Sequence, residues 1–153
     1  MPTIKKILVP TDLSELSAVG VHYALEMAES QGAEVIVLYV AHYKDVARHR
    51  GYEASLQVHY ETVGELLDGC KKGVAEFLQK RFSDLMQKVK VQEEADFGEA
   101  YESIVEKAEA EGVDMIIMST HGRTGVGHML IGSVTEQVVR RARCPVLSVR
   151  SSK

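Results

Sequence analysis

The chain is poor in cysteine, has no long apolar run and carries no excess of positive charge. Its two cysteines, Cys70 and Cys144, stand far apart and in no metal-type spacing, which argues against the disulfide framework of a small secreted domain. No apolar stretch approaches the roughly 18 residues that span a bilayer. The opening MPTIKKILVP lacks the apolar segment of about 7–15 residues that marks a signal peptide, so the cytosol is the expected compartment and no membrane partner is expected. Lysine and arginine number 18 against 22 aspartates and glutamates, a formal charge of −4. Nucleic-acid binding wants a basic face and is not expected here, although a local basic pocket for phosphate is compatible with that balance.

What remains is an ordinary globular composition, 45% hydrophobic and 26% charged over 153 residues. That length predicts one domain over residues 1–153, large enough to bury roughly 70% of its unfolded surface.

Along the chain, short β-branched apolar runs alternate with amphipathic stretches. Ile4 and Ile7 to Val9, stopped by Pro10, predict a first buried strand. Asp12 follows, and Ser14 is placed to cap a helix whose apolar face is Val21, Ala24, Leu25 and Ala28 and whose end is Gly32. Glu34 to Val40 (EVIVLYV) is nearly all apolar, as a parallel strand covered on both faces should be. His42 to Gln57 predicts a surface excursion. Val63, Leu66, Leu67, Cys70, Val74, Phe77, Leu78 and Leu85 mark a long helix, with Gly64, Gly69 and Gly73 off its apolar stripe. Val89, Val91, Ala95 and Phe97 alternate with polar residues, predicting an edge strand. Tyr101, Ile104, Val105 and Ala108 predict a short helix closed by Gly112, and Met115 to Met118 another buried strand. After a glycine-rich loop, Ser133 to Ala142 predicts a helix with Val134, Val138 and Val139 inward, and Pro145 to Val149 a last strand.

The order β-α-β-α-β-α-β-α-β predicts an open, five-stranded parallel α/β sheet, Rossmann-like, with helices on both faces. Ligands of such sheets bind at the carboxyl ends of strands where the strand order reverses. Residues 10–12, 40–42 and 119–122 leave carboxyl ends; if the first and fourth strands are neighbours, all three meet at one crevice.

The segment Ser119 to Thr135 (STHGRTGVGHMLIGSVT) has the composition of a phosphate cradle. Its glycines Gly122, Gly125, Gly127 and Gly132 let backbone approach a ligand closely, and a helix N-terminus at Gly132–Ser133 offers N–H groups and a favourable dipole. Ser133 and Thr135 add hydroxyl donors, and Arg123 a positive charge for phosphate oxygens. Valine introduced at Gly132 is expected to block this pocket and leave the fold intact. The segment is neither GxxxxGK[ST] nor GxGxxG, and a surface loop without a ligand is the competing interpretation.

These residues resemble the universal stress protein family over nearly the whole chain, through ILVPTD, EVIVLYV and STHGRTG…GSVTEQVVRRARCPVLSVR. The ATP-binding branch of that family carries G-x2-G-x9-G-[ST]. Here Gly122 is the second glycine, Arg123 to Ile131 the nine-residue spacer and Gly132–Ser133 the close; Ser119 stands where the pattern has its first glycine. The resemblance implies strand order 3-2-1-4-5 and an adenine nucleotide, ATP or else ADP or AMP, with Mg²⁺ bridging phosphates. It implies Asp12 beside the adenosine, Val40 meeting adenine with its backbone, Pro10 and Thr11 shaping the adenine side, and Gly122, Gly132 and Ser133 facing ribose and phosphates. Ser119, His121, Arg123, Gly125, Val134 and Thr135 complete the candidate set. It also implies a homodimer in which Pro145 to Val149 pair across a twofold axis, acting as a stress-response switch.

Other residues have plainer explanations. His121 has a structural alternative to acid–base work, the spacing of His42, His49 and His59 fits no metal site, and both cysteines suit core thiols. No carboxylate pair accompanies the glycine segment, so turnover is expected to be slow or absent. The alternatives are a dimeric interaction protein with a vestigial pocket, and a slow ATPase or self-phosphorylating protein using Ser133 or Thr135.

Overall fold

The computed structural model describes residues 2–42, 63–121 and 131–151; the excursion expected over 42–57 lies almost wholly outside them. Nine elements alternate along the described chain: β1 (Lys6–Pro10), α1 (Glu15–Gln31), β2 (Glu34–Ala41), α2 (Val63–Met86), β3 (Val91–Phe97), α3 (Ala100–Glu111), β4 (Met115–Ser119), α4 (Ser133–Arg141) and β5 (Val146–Val149). The strands form one parallel sheet in the order β3-β2-β1-β4-β5, the order the resemblance implied.

Register explains how two cores share one sheet. Leu8 pairs with Ile36 on one side and Ile116 on the other, and side chains of a strand alternate between faces. Ile7, Val9, Val35, Val37 and Ile117 therefore meet Val21, Ala24, Leu25 and Ala28 of α1 and Val74, Phe77 and Leu78 of α2. Leu8, Ile36, Leu38, Ile116 and Met118 meet Ile104 and Ala108 of α3 and Val138 of α4. Every strand residue in this account is at most 4% exposed, which is why the central strands read as unbroken apolar runs rather than alternating ones. β3, at the sheet edge, has only half-buried or exposed residues, and its alternating sequence follows from that.

Two helices depart from the sequence pattern. In α2 only Val74, Phe77 and Leu78 are buried, Val63 is exposed and the helix breaks its regular geometry at Phe82. In α4 the inward residues are Thr135 and Val138, whereas Val134 and Val139 are exposed. The reason is a tether: the Thr135 hydroxyl donates to the Ser119 carbonyl at 3.0 Å and fixes the rotation of this two-and-a-half-turn helix.

Candidate nucleotide site

β1 and β4 are neighbours, and β2 lies on the other side of β1. The chain from β1 continues to α1 on one face, whereas α3 and α4 cover the other. At the carboxyl ends of β1, β2 and β4 this leaves a cleft of about 240 Å³, near the lower bound of small-molecule sites (about 300 Å³). Pro10, Thr11, Asp12, Val40, Ser119, His121, Gly132, Ser133, Val134 and Thr135 all line it. Ten residues proposed from sequence are thus brought together; Gly122, Arg123 and Gly125 lie outside the described residues.

The β1–α1 turn is a set of local hydrogen bonds. Thr11 N–H donates to the Leu38 carbonyl at 2.9 Å and so keys the turn to β2. Leu13 adopts φ 65°, a left-handed conformation that costs a non-glycine residue on the order of 1–2 kcal/mol. The turn is held there by Leu13 N–H donating to Thr11 Oγ1 at 3.0 Å and Ser14 N–H donating to Asp12 Oδ1 at 3.0 Å. Ser14 also gives its hydroxyl proton to Asp12, and its Oγ accepts from Ser17 N–H at 3.1 Å as the cap of α1. Asp12 therefore lines the cleft and also orients a helix.

The β4–α4 side is built differently. α4 begins at Gly132, which has no side chain to accept from the first-turn amides. An α-helix leaves those amides without intrahelical acceptors, and Ser133, Val134 and Thr135 bring them to the cleft wall. Gly132 N–H is not among the available donors, because it bonds the Thr120 carbonyl at 2.6 Å. The Thr135 hydroxyl proton is likewise engaged, by Ser119, which corrects the expectation that it serves phosphate. A further correction concerns Gly132→Val: a Cβ here would stand 2.9 Å from the Thr120 carbonyl oxygen, so the substitution disturbs the backbone as well as the pocket.

Sequence reasoning missed Ser17, Leu38, Ala100, Ile104, Met118 and Thr120 as lining residues. Leu38, Ile104 and Met118 were legible only as core, and Ala100 reaches the cleft because α3 starts beside β2. Gly20 was missed too. A Cβ at Gly20 would lie 2.8 Å from Ser119 N and 2.9 Å from Ser119 Oγ, so α1 can approach β4 this closely only with glycine there; its signal was a glycine inside an amphipathic helix. At the rim, His42 and Glu99 bond at 2.9 Å. Cys70 and Cys144 are half-buried, and burial pushes both thiols up, away from the thiolate a redox sensor needs.

A parallel sheet whose strand order reverses beneath a glycine-started helix defines a nucleotide-binding type of α/β protein. The universal stress protein family model matches residues 3–150, and the chain belongs to that family. It is 36% identical over 151 residues to universal stress protein MJ0531 of Methanocaldococcus jannaschii, covering 97% of this chain and 84% of that one. The solved structure of MJ0577, a universal stress protein of the same organism, is 32% identical, aligns over 99% of both chains and superposes with a TM-score of 0.71. Two more distant solved universal stress proteins share the fold and were determined with adenine nucleotides. One is a complex with cAMP (19% identical, TM-score 0.67, 99% of this chain and 100% of that one). The other, from Archaeoglobus fulgidus, is a complex with dAMP (18% identical, TM-score 0.62, 96% and 98%).

Proposed function

We propose that this chain, as one domain over residues 1–153, is a cytoplasmic regulatory module that binds ATP in the cleft and acts as a homodimeric stress-response switch. The observation that carries the reading is the two-sided cleft. On the β2 side stand Val40 and Leu38 with Ala100 and Ile104 of α3, apolar neighbours suited to adenine. On the β4 side stand Gly132, Ser133 and Val134 at the start of α4, suited to phosphates. Asp12 lies at the end of β1, between β2 and β4 in strand order, where a ribose would span them. The cAMP and dAMP complexes of distant relatives support an adenine nucleotide as ligand.

Magnesium fits this site only as a companion of the phosphates. Mg²⁺ is usually held by one or two carboxylates together with phosphate oxygens. Asp12 is the one carboxylate lining the cleft among the described residues, which contain no cluster of metal-ligating side chains. For the dimer, β5 is an edge strand of half-buried residues, a surface that strand pairing with a second copy would cover.

Calorimetric titration of nucleotide-stripped protein with ATP and Mg²⁺, repeated with AMP, tests the reading. Saturable ATP binding near one per chain, tighter than AMP, is expected. Absence of heat at several temperatures, with no thermal stabilisation, overturns it in favour of a dimeric interaction protein with a vestigial pocket. That second reading draws on the internal engagement of Gly132 N–H and Thr135 Oγ1. A slow ATPase or self-phosphorylation at Ser133 or Thr135 would show as released or protein-bound label from γ-labelled ATP.

A further inference from the structure

The two walls of the cleft belong to different elements, yet one residue joins them, its main-chain carbonyl turned to α4 and its hydroxyl to α1. Ser119 ends β4, and its carbonyl accepts the Thr135 hydroxyl at 3.0 Å, on the α4 side. Its own hydroxyl turns to α1: it accepts from Gly20 N–H at 2.9 Å and donates to the Ser17 carbonyl at 3.3 Å. Ser17, 6% exposed, continues the connection, with its Oγ 2.9 Å from Thr11 Oγ1 and its N–H on the Ser14 cap. Ser14 in turn holds Asp12. A continuous run of hydrogen bonds and short backbone steps therefore leads from Thr135 through Ser119 to Asp12. Gly20 is the complementary half of the arrangement, because any side chain at that position would displace Ser119.

We propose that Ser119 is a positioning residue that locks the Asp12 turn and the start of α4 at the separation a nucleotide spans. The proposal rests on the nucleotide reading above and deepens it: serine in place of the family pattern's first glycine is a gain of rigidity at the site. A ligand that touches both walls benefits from a fixed separation, since no binding energy goes into ordering them. A ligand that touches one wall does not.

The test compares Ser119→Ala with the natural chain, by calorimetry with ATP, adenosine and inorganic triphosphate, alongside thermal denaturation. Loss of one half-buried hydroxyl anchor is expected to weaken ATP by about tenfold and to leave adenosine and triphosphate within about twofold. Amide exchange at Gly20 and Ser17 should rise in the variant and fall less on ATP binding. Ser119→Thr, which restores the hydroxyl, should recover the ATP affinity in part. Equal weakening of all three ligands assigns Ser119 a merely structural role and overturns the proposal, as does unchanged ATP affinity in Ser119→Ala. If the natural chain binds no nucleotide, the function proposed above fails and this inference falls with it; if it binds and the alanine variant binds equally well, only this inference fails.

Discussion

Helices α1 and α4 both point their N-termini at the same cleft, and they end there in opposite ways. α1 closes itself: Ser14 caps Ser17 N–H, Asp12 accepts twice from Ser14, and Glu15 in the first turn is gripped by Arg81. That guanidinium holds the Glu15 carboxyl below its ordinary range. Negative charge already occupies the place where an anion would sit on the dipole of α1. α4 starts with a glycine and two neutral residues, and the side chain of its third, Thr135, points into the protein. One N-terminus has a side-chain cap from its own sequence; the other has no side-chain cap among the described residues. The contrast supports the proposed placement of phosphates on the α4 side, with α1 holding Asp12.

The most damaging way to break this contrast is Gly132→Val. The clash with the Thr120 carbonyl is expected to cost about 1–3 kcal/mol of stability, read by urea denaturation, and to abolish ATP binding in calorimetry at ligand concentrations that saturate the natural chain. Gly20→Ala is next. Alanine favours a helix by about 1 kcal/mol, but its Cβ must displace Ser119, and overpacking of about 1–3 kcal/mol should outweigh the gain. A lowered Tm together with weakened ATP binding is expected; a raised Tm would mean that α1 does not sit this close to β4.

Asp12→Ala separates cap from ligand contact. ATP affinity should fall by about tenfold, as for loss of a charge-assisted hydrogen bond, with adenosine affected as much as ATP and stability lowered by about 1 kcal/mol through the lost bonds to Ser14. Unaltered affinity would confine Asp12 to orienting α1. Ser14→Ala removes both the cap and the last link to Asp12, so stability should fall by about 1 kcal/mol and ATP affinity by about threefold, less than with Asp12→Ala. Unchanged ATP affinity in Ser14→Ala would show that the Asp12 turn keeps its place without the Ser14 link.

Much of this was legible beforehand. Ser14, Gly32 and Gly112 bound their helices where the caps are observed, because capping is a contact within a few residues. The central strands declared themselves by unbroken apolar runs. Facing was harder. Val134 and Val139 fit a helical stripe with Val138, yet they are exposed and Thr135 is buried. A nine-residue helix is rotated by one tether as readily as by apolar periodicity, and the tether runs to Ser119, sixteen residues away. Leu66, Leu67 and Cys70 continue the stripe of α2 but are not in its buried set, since periodicity marks an apolar face without revealing how much of it is covered.

The sequence by itself determined the alternation of strands and helices, the family, and the glycine-started helix after the fourth strand. These are local matters of propensity, capping and pattern. The residue pattern left open whether β1 lies beside β4; the resemblance implied it, and the strand pairing brings Asp12 and Ser133 to one cleft. Only the tertiary structure decided that the Gly132 amide and the Thr135 hydroxyl serve the protein itself, and that Gly20 exists to admit Ser119. Each of these is a distance between residues remote in the chain, fixed by parallel strand pairing and by how closely a helix lies on a sheet, which no local pattern encodes.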